Sequence, residues 1–377
     1  MSNPVVCYPF VGDSVGGSHR SMVPVIQGIM ARGFEPLVVV HYDGPLAQFF
    51  ASEGIAWVAP PAVRLVEAGG IAVQAARAAA AAPSLAGFLK RRGVAVVHTN
   101  DARMHLTWGP AARLAGSRFV WHQRSQEPSR RLGLYSGLAS AVITISDYCR
   151  SSFAPAMVKR AMVIKDPNEL AVSGVDRARS RRELLNELGC GEGAAIVGYV
   201  ANLTRQKRPE FFLDIAKAIR DRTDGAVAFP MFGEKRPGLT EAIEARIGAL
   251  GLGSAVRLMG PRYPIEPAIA GCDVLVAPAK AEGLGRTLIE AMLVGTPVIA
   301  ADDAGHREAI RDGDTGRLVA ADDAGAFADA VIGLLGDRAG REGMVGRAAE
   351  FARSEFANAR HLDRLAAVYR DLLDPSR

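Results

Sequence analysis

The fold of this chain is decided by the stretch K-A-E-G-L-G-R-T-L-I-E-A-M, residues 280–292. It follows an apolar run, residues 273–278, whose composition is typical of a buried parallel strand. It continues into the helix-like segment L-I-E-A-M-L-V. The sequence therefore predicts that a strand, a glycine-rich loop and a helix meet here.

This stretch is chemically suited to a ligand that is half sugar and half phosphate. In an open α/β sheet, ligands bind outside the carboxyl ends of the strands, where a helix N-terminus presents amides to an anion. Gly283 and Gly285 allow a ligand to approach the backbone, and Glu282 and Glu290 can accept hydrogen bonds from sugar hydroxyls. A strand, a turn and a helix occur in every doubly wound fold, so the spacing alone leaves a purely structural role open.

The two glutamates of E-G-L-G-R-T-L-I-E are followed by A-M-L-V-G-T-P-V-I-A, D-A-G-H-R-E-A-I and D-G-D-T-G-R-L-V. Together these motifs resemble the nucleotide-sugar site of family 4 glycosyltransferases, without a gap over residues 273–319. The resemblance implies the GT-B fold, which is two Rossmann-like doubly wound α/β domains facing a cleft. It also implies glycosyl transfer from a nucleoside diphosphate sugar with retention of anomeric configuration, and no cofactor or metal beyond that co-substrate.

The resemblance also assigns roles to residues. Glu290 would bind ribose, Glu282 sugar hydroxyls and His122 the sugar near the reacting carbon, while Lys207 would stabilise the departing diphosphate. The predicted catalytic residues are His122, Glu282 and Lys207. The predicted donor-binding residues are Gly16, Gly17, Asn202, Arg205, Gly283, Leu284, Gly285, Arg286, Thr287 and Glu290. Arg20 and Asn100 are candidates on the acceptor side, and the donor is expected to be UDP- or GDP-linked.

Length and composition are compatible with this interpretation. The chain has 377 residues, of which 49% are hydrophobic and 23% charged, values that suit two globular domains. No apolar run reaches the roughly 18 residues that cross a bilayer, and the first ten residues lack the basic region of a secretory signal. We expect a cytoplasmic protein. The four cysteines are scattered, without metal-ligand or redox spacing.

Charge is divided unevenly along the chain. Residues 1–165 contain 17 Lys and Arg against 8 Asp and Glu, whereas the remainder contains 28 against 32. A basic half can reflect an anionic partner or simply a solvated face. Aromatic residues, at 6%, are not interleaved with basic ones as a nucleic-acid platform requires. We therefore expect a glycan, lipid-linked or small-molecule acceptor, with peripheral contact at the inner membrane face as an option, and no nucleic acid.

The first half alternates short apolar runs with helical stretches, as a parallel sheet wrapped by helices does. The predicted strands cover residues 5–10, 35–40, 94–99, 118–122, 141–145 and 161–164. Residues 70–93 are alanine-rich, and Pro83 is predicted to split them into two helices. Pro24 predicts a late start or a kink in the helix after the Gly16-Gly17 loop. Domain boundaries are placed at 1–168 and 169–355, with residues 356–377 packing back on the first domain.

Three positions depart from the family pattern. Relatives have Gly-Arg-Leu where this chain has Ala201-Asn202-Leu203, so Arg205 is a candidate to replace the missing arginine. Asn168 is followed by Glu169 rather than glycine. The usual Gly-Gly becomes Gly305-His306, for which the sequence offers no interpretation.

Two other activities remain open at this stage. A nucleotide-sugar epimerase of the same architecture would use a carboxylate and a histidine for proton transfer. A non-catalytic nucleotide-sugar-binding protein is compatible with Asn202. A dinucleotide dehydrogenase fits less well, because the first loop has Gly12, Gly16 and Gly17 but no G-x-G-x-x-G.

Overall fold

The computed structural model describes residues 3–67, 69–126, 136–168 and 175–376. The chain divides into two compact units. Unit 1 comprises Met1–Pro167 and Ala357–Arg377, and unit 2 comprises Asn168–Phe356. Glu169, with the turn expected there and the predicted start of the second domain, lies outside the described residues. In the described part, no helix has both the length and the apolar character required to cross a membrane.

Unit 1 is built on a parallel sheet whose strand order is β2-β1-β3-β4-β5-β6. The strands are β1 (Val5–Phe10), β2 (Glu35–Val40), β3 (Val94–Thr99), β4 (Arg118–Gln123), β5 (Ala141–Thr144) and β6 (Met162–Val163). The first three predicted strands have the bounds of the sequence prediction. The other three differ by one or two residues at their ends, where apolar composition does not define the last ladder hydrogen bond.

The helices of unit 1 connect and cover these strands. They are α1 (Gly17–Gly28), α2 (Pro45–Ser52), α3 (Ile71–Arg91), α4 (Ala102–Ala115), α5 (Asp147–Arg150), α6 (Pro155–Val158) and, at the far end of the chain, α15 (Asn358–Leu373). α3 is one continuous helix with Pro83 inside it, so the predicted split was wrong. Ala81, Ala82, Leu85 and Ala86 are buried on both sides of Pro83, and this packing offsets the hydrogen bond that proline cannot donate. Pro24 likewise lies inside α1, which begins at Gly17 rather than late.

The core of unit 1 has a layer on each side of the sheet. One layer joins Phe10, Phe50 and Val120 to Leu365 and Tyr369 from α15. The other joins Leu85, Trp108 and Phe119 from α3, α4 and β4. The last helix of the chain is therefore part of the core formed by the first residues of the chain.

Unit 2 repeats the plan with the strand order β12-β11-β10-β7-β8-β9. Its strands are β7 (Ala195–Val200), β8 (Val227–Phe232), β9 (Val256–Gly260), β10 (Val274–Ala277), β11 (Val298–Ala301) and β12 (Arg317–Val319). Its helices are α7 (Arg177–Leu188), α8 (Pro209–Arg220), α9 (Leu239–Ala249), α10 (Glu266–Gly271), α11 (Arg286–Leu293), α12 (His306–Ala309), α13 (Ala324–Gly336) and α14 (Arg338–Glu355).

Each sheet has a point at which the winding direction reverses. In unit 1 it lies between β1 and β3, and in unit 2 between β7 and β10. Loops that leave neighbouring strands on opposite sides of such a point form a crevice at the carboxyl edge of the sheet. The loops after β7 and β10 contain Lys207 and Glu282, so the fold places the predicted site residues of unit 2 at its reversal point.

Candidate functional site

Three loops converge at the carboxyl edge of the unit 2 sheet. The Gln206 Nε2 donates to the Ala281 carbonyl at 2.9 Å, which joins the loop after β7 to the loop after β10. The Ala281 amide donates to Asp303 Oδ1 at 2.7 Å, and the Gly305 amide donates to the Glu282 carbonyl at 3.0 Å. The loop after β11 thus supports the loop after β10 from the other side.

Lys207 and Glu282 form an ion pair across these loops. The carboxylate side chain of Glu282 is 12% exposed and the Lys207 side chain 31% exposed. The two predicted catalytic residues of unit 2 therefore meet, although 75 positions separate them in the sequence. A cation and a carboxylate held this close can bind the phosphate and the hydroxyls of one ligand.

The start of α11 presents the second part of the predicted donor site. Gly285 is the N-cap residue and takes a φ of 89°, in the left-handed region that favours glycine. One turn further, Glu290 Oε1 accepts from Arg286 Nε at 3.1 Å. Arg286 Nη2 also donates to Asn168 Oδ1 at 3.2 Å, and Asn168 Nδ2 donates to the Arg286 carbonyl at 3.1 Å. Asn168 thus fixes Arg286, a role that the sequence did not indicate.

The position of His306 gives a structural role to the histidine that replaces the second glycine of the usual Gly-Gly. Its ring is buried and its Nδ1 lies 3.2 Å from the Ala301 carbonyl. A Cβ atom on Gly285 would lie 2.9 Å from His306 Cδ2, so the imidazole packs directly beneath the N-cap residue of α11. Burial lowers the pKa of His306, although the nearby Glu282 carboxylate acts in the opposite direction. The neutral ring is therefore a packing support for the glycine loop.

Asn202 and Arg205 occupy the loop after β7 in different ways. Asn202 Oδ1 accepts from the Glu234 amide at 3.2 Å, so this side chain ties the loop after β7 to the loop after β8. Arg205 is exposed on the 3-10 turn Arg205–Lys207. The proposed replacement of the family arginine by Arg205 stays a prediction.

In the glycine loop of unit 1, the closest approach between backbone segments is at Gly12. Gly12 has a φ of 108°, and a Cβ there would approach the Tyr42 carbonyl oxygen to 2.2 Å. Gly16 has an extended backbone and precedes α1, which Gly17 begins. The glycine that the local geometry requires is therefore Gly12. Arg20, in the second turn of α1, lies with its guanidinium 5.2 Å from the centroid of the Phe49 ring.

His122 and Asn100 are brought together at the ends of β4 and β3 by Arg124. Arg124 Nε donates to Asn100 Oδ1 at 3.2 Å, and its Nη2 lies 3.4 Å from His122 Nδ1. The guanidinium also forms an ion pair with Asp166. His122 is fully buried, and burial lowers its pKa well below the usual value, with the positive charge of Arg124 adding to the effect. His122 is therefore neutral at physiological pH.

Several contributors to these sites were not selected from the sequence. Arg124, Asn168, Gly12 and Gly305 act through contacts with residues distant in the chain, which periodicity does not reveal. The positive charge of Arg124, two residues after a strand-end histidine, was the one available signal. Among the described residues, no group of three or more His, Cys, Asp or Glu side chains is placed to hold a metal ion.

Comparisons with known proteins give matches in both sequence and structure. A family model described as "Glycosyl transferases group 1" matches residues 194–337, which lie within unit 2. The lipopolysaccharide core biosynthesis mannosyltransferase LpsB of Rhizobium meliloti (strain 1021) is 28% identical over 229 residues, 57% of this chain and 64% of that protein. A D-inositol 3-phosphate glycosyltransferase of Nocardia farcinica (strain IFM 10152) is 33% identical over 172 residues, 43% of this chain and 37% of that protein.

Solved structures match the whole chain. Anabaena Alr3699/HepE, crystallised with UDP and glucose, superposes with a TM-score of 0.82 at 20% identity, covering 98% of this chain and all of that one. A glycosyltransferase from Rickettsia africae ESF-5 gives a TM-score of 0.84 at 16% identity and covers both chains completely. This chain has the GT-B fold. The predicted fold class, two Rossmann-like doubly wound domains, is thereby confirmed.

The sequence matches cover less of the chain than the structural matches do. The matched part of this GT-B chain spans between about one third and two thirds of the length of the two curated relatives named above. The family model is confined to the unit that contains the Lys207–Glu282 pair. The family-model match therefore lies on the predicted donor side.

Proposed function

We propose that this protein is a glycosyltransferase that moves a sugar from a nucleoside diphosphate sugar to a hydroxyl acceptor. The observation that carries the proposal is the Lys207–Glu282 ion pair at the reversal point of the unit 2 sheet, beside the N-terminus of α11. A lysine, a helix N-terminus and a carboxylate are the groups needed for a diphosphate on one side and sugar hydroxyls on the other. The names of the matching relatives point to the same class of reaction.

In the proposed reaction, charge develops on the departing nucleoside diphosphate and on an oxocarbenium-like sugar. Lys207 and the amide end of α11 stabilise the diphosphate, which is the part of the transition state with the most negative charge. Glu282 binds sugar hydroxyls and Glu290 the ribose. We propose that transfer proceeds with retention of configuration and without a metal, since Lys207 supplies positive charge where a cation would otherwise be required.

Unit 1 is proposed to bind the acceptor. Asn100 and Arg20 are the acceptor-side residues, and His122 contacts the sugar near the reacting carbon. The acceptor is a glycan, a lipid-linked sugar or a small molecule. Peripheral contact with a membrane through the basic first unit is part of the same proposal, supported by the excess of 17 basic over 8 acidic residues in the first 165.

Epimerisation and simple binding are less well supported. The relatives named above are a mannosyltransferase and a glycosyltransferase by name, so the comparisons do not favour an epimerase. His122, the histidine an epimerase would use for proton transfer, is buried with a strongly lowered pKa. Such a ring is a better hydrogen-bond donor than a proton acceptor at neutral pH.

A panel of UDP- and GDP-linked sugars tests the proposal. We expect one donor to raise the melting temperature and to release nucleoside diphosphate when a hydroxyl acceptor is added. Turnover should persist in EDTA, and NMR of the product should give the anomeric configuration of the donor. Formation of a new epimer of the donor sugar without acceptor would identify an epimerase instead. Donor binding without turnover in the presence of every acceptor tested would identify a binding protein.

A further inference from the structure

Two buried donor-capable atoms at the strand ends of unit 1 are left without a hydrogen-bond partner among the described residues. They are Asn100 Nδ2 and His122 Nε2. Asn100 is 5% exposed and His122 is 0% exposed. Buried polar atoms in folded proteins are nearly always paired, so two neighbouring exceptions require an explanation.

The two atoms belong to adjacent strands. His98 of β3 pairs with Val120 of β4, and Thr99 pairs with Trp121. Continuing that register places Asn100 beside His122. Arg124 contacts both side chains, through Nε to Asn100 Oδ1 at 3.2 Å and through Nη2 to His122 Nδ1 at 3.4 Å. One guanidinium therefore orients both residues.

An arginine only donates hydrogen bonds, and this property determines what its two partners present. The Asn100 atom facing Arg124 must be the oxygen, so the amide NH₂ points away from the guanidinium. The His122 atom facing Arg124 must be an acceptor, so the neutral ring carries its proton on Nε2. Both unpartnered atoms are consequently N–H donors.

A buried chain of hydrogen bonds behind His122 fits the same assignment. His98 Nε2 lies 3.1 Å from His122 Nδ1 and must donate to it, because that nitrogen is the acceptor. His98 Nδ1 is then an acceptor for the Tyr369 hydroxyl at 2.5 Å, and Tyr369 in turn accepts from Tyr8 at 3.2 Å. Each donor in the chain has one acceptor. Helix α15 thus helps, through Tyr369, to set the tautomer of His122 at the end of β4.

Arg124 is itself firmly held. Its Nη1 pairs with Asp166, whose side chain is 13% exposed, and its Nη2 lies 3.1 Å from Met22 Sδ in α1. The charge of the guanidinium is balanced by that carboxylate. The two donors that it orients are uncharged, so the position suits a neutral oxygen better than a phosphate, whose charge would require an unbalanced cation.

We propose that Arg124 is a positioning residue that fixes His122 as the Nε2–H tautomer and Asn100 with its amide nitrogen outward. The pair then forms a two-donor site for a hydroxyl oxygen of the donor sugar, which moves Asn100 from the acceptor side to the donor side of the proposed reaction. The identity of this ligand rests on the proposed function, whereas the positioning by Arg124 does not. A site made of two fixed donors discriminates against a sugar that lacks the accepting oxygen.

Nitrogen NMR of the full-length protein labelled with ¹⁵N-histidine tests the positioning role. The ring signals of His122 are identified by their loss in His122→Gln. We expect a protonated Nε2 and an unprotonated Nδ1 in the parent protein. In Arg124→Met, His98 and His122 can share the proton in either direction, so both tautomers of His122 should appear.

Two further variants keep this test decisive. Arg124→Met leaves Asp166 unpaired, so the double variant with Asp166→Asn is measured beside it. Arg32→Met removes an arginine that pairs with Asp363 in the same unit and should leave the His122 signals unchanged. An Nδ1–H tautomer in the parent protein, or identical His122 signals after the loss of Arg124, would overturn the positioning role.

The ligand is tested with the same sample and defined probes. We expect the His122 Nε2–H signal to move on addition of UDP-glucose or GDP-mannose, whichever raises the melting temperature, and not with UDP or GDP alone. We also expect Asn100→Ala to lower kcat/KM about 10- to 100-fold, the loss typical of one positioned hydrogen bond. An equal shift with the free nucleotide would assign the site to phosphate and overturn the hydroxyl assignment. Failure of every nucleotide sugar to bind would count against the proposed function, while the tautomer result would still decide the role of Arg124.

Discussion

Lys207 and Glu282 are the residues on which the proposed donor site depends, and each compensates the charge of the other. We predict that Lys207→Ala lowers donor-dependent turnover about 100- to 1000-fold, because a charge that stabilises the leaving group is lost. The effect on stability should be below about 1 kcal/mol, since the pair is partly exposed. Steady-state kinetics and urea unfolding measure the two effects. Lys217→Ala, which removes an exposed lysine paired with Asp221, is the matched control and should change neither.

Gly305 offers a second test at this scale, because its absent side chain makes room for the glycine loop. A Cβ at Gly305 would lie 2.3 Å from the Gly283 carbonyl oxygen, so Gly305→Ala must displace the backbone of that loop. We predict a loss of donor affinity of at least about tenfold and a destabilisation of about 1–3 kcal/mol. Titration calorimetry and urea unfolding check the two values.

Gly333 provides the comparison for that substitution. It lies in α13, and within the described chain a Cβ atom added there would meet no other atom within 4 Å beyond its own helix backbone. Gly333→Ala should therefore stabilise the protein by about 0.5–1 kcal/mol through helix propensity. Unchanged donor binding in Gly305→Ala would show that the loop geometry does not control the site.

At the scale of single residues, the sequence predicted the proposed ligand-binding side chains better than the residues that hold those side chains in place. Glu282 and Glu290 were recognisable because the motif that contains them resembles a known nucleotide-sugar site. Arg124, Asn168 and His306 were not, because their contacts join segments that only the folded chain brings together. Burial of His122 and its dependence on Arg124 likewise follow from packing rather than from the local sequence.

At the scale of elements, strands were predicted more accurately than helix continuity. Buried parallel strands are continuous apolar runs, so β1, β2 and β3 could be delimited from composition alone. β12 has only three residues, one of them Arg317, which carry too little apolar signal to delimit a strand from composition. The predicted split of α3 was wrong because burial of the alanine-rich segment around Pro83 outweighs the helix-breaking tendency of proline.

The C-terminal helix α15 contributes to the core of unit 1, and this contribution can be tested. Leu365 is 0% exposed in the core shared with β1 and β4. We predict that Leu365→Ala destabilises unit 1 by about 2–5 kcal/mol, through lost burial and the cavity that remains. Urea unfolding followed by tryptophan fluorescence reports this unit, because Trp57, Trp108 and Trp121 all lie in it.

Leu114→Ala is the control for that substitution. Leu114 lies in α4 of the same unit and is 53% exposed, so its truncation should cost less than about 1 kcal/mol. Equal midpoints for Leu365→Ala and Leu114→Ala would mean that α15 does not contribute to the stability of unit 1.

At the scale of the whole molecule, titratable imidazoles are concentrated in one unit. Of the seven histidines, unit 2 contains only His306. Burial lowers the pKa of every one, to about 4 for His19, His41 and His361. The unfolded chain binds protons on these rings near pH 6.5, whereas in the folded chain each ring binds its proton only at a lower pH, because its pKa is lowered. Stability must therefore fall as the pH decreases through that window.

We predict that the free energy of unfolding of unit 1 is nearly constant above pH 7 and falls by more than about 2 kcal/mol between pH 6.5 and 4.5. The free energy of unfolding falls because the unfolded state binds more protons than the folded state throughout the window. Each histidine that is protonated only in the unfolded state contributes up to about 1.4 kcal/mol per pH unit. Urea unfolding at a series of pH values, followed by tryptophan fluorescence, measures it. His41→Gln keeps an acceptor for the Trp108 Nε1–H, which His41 Nε2 accepts at 3.0 Å, and should reduce the pH dependence by about one proton. A flat profile between pH 6.5 and 4.5 would show that these imidazoles take up protons in the folded protein as readily as in the unfolded chain, contrary to their burial.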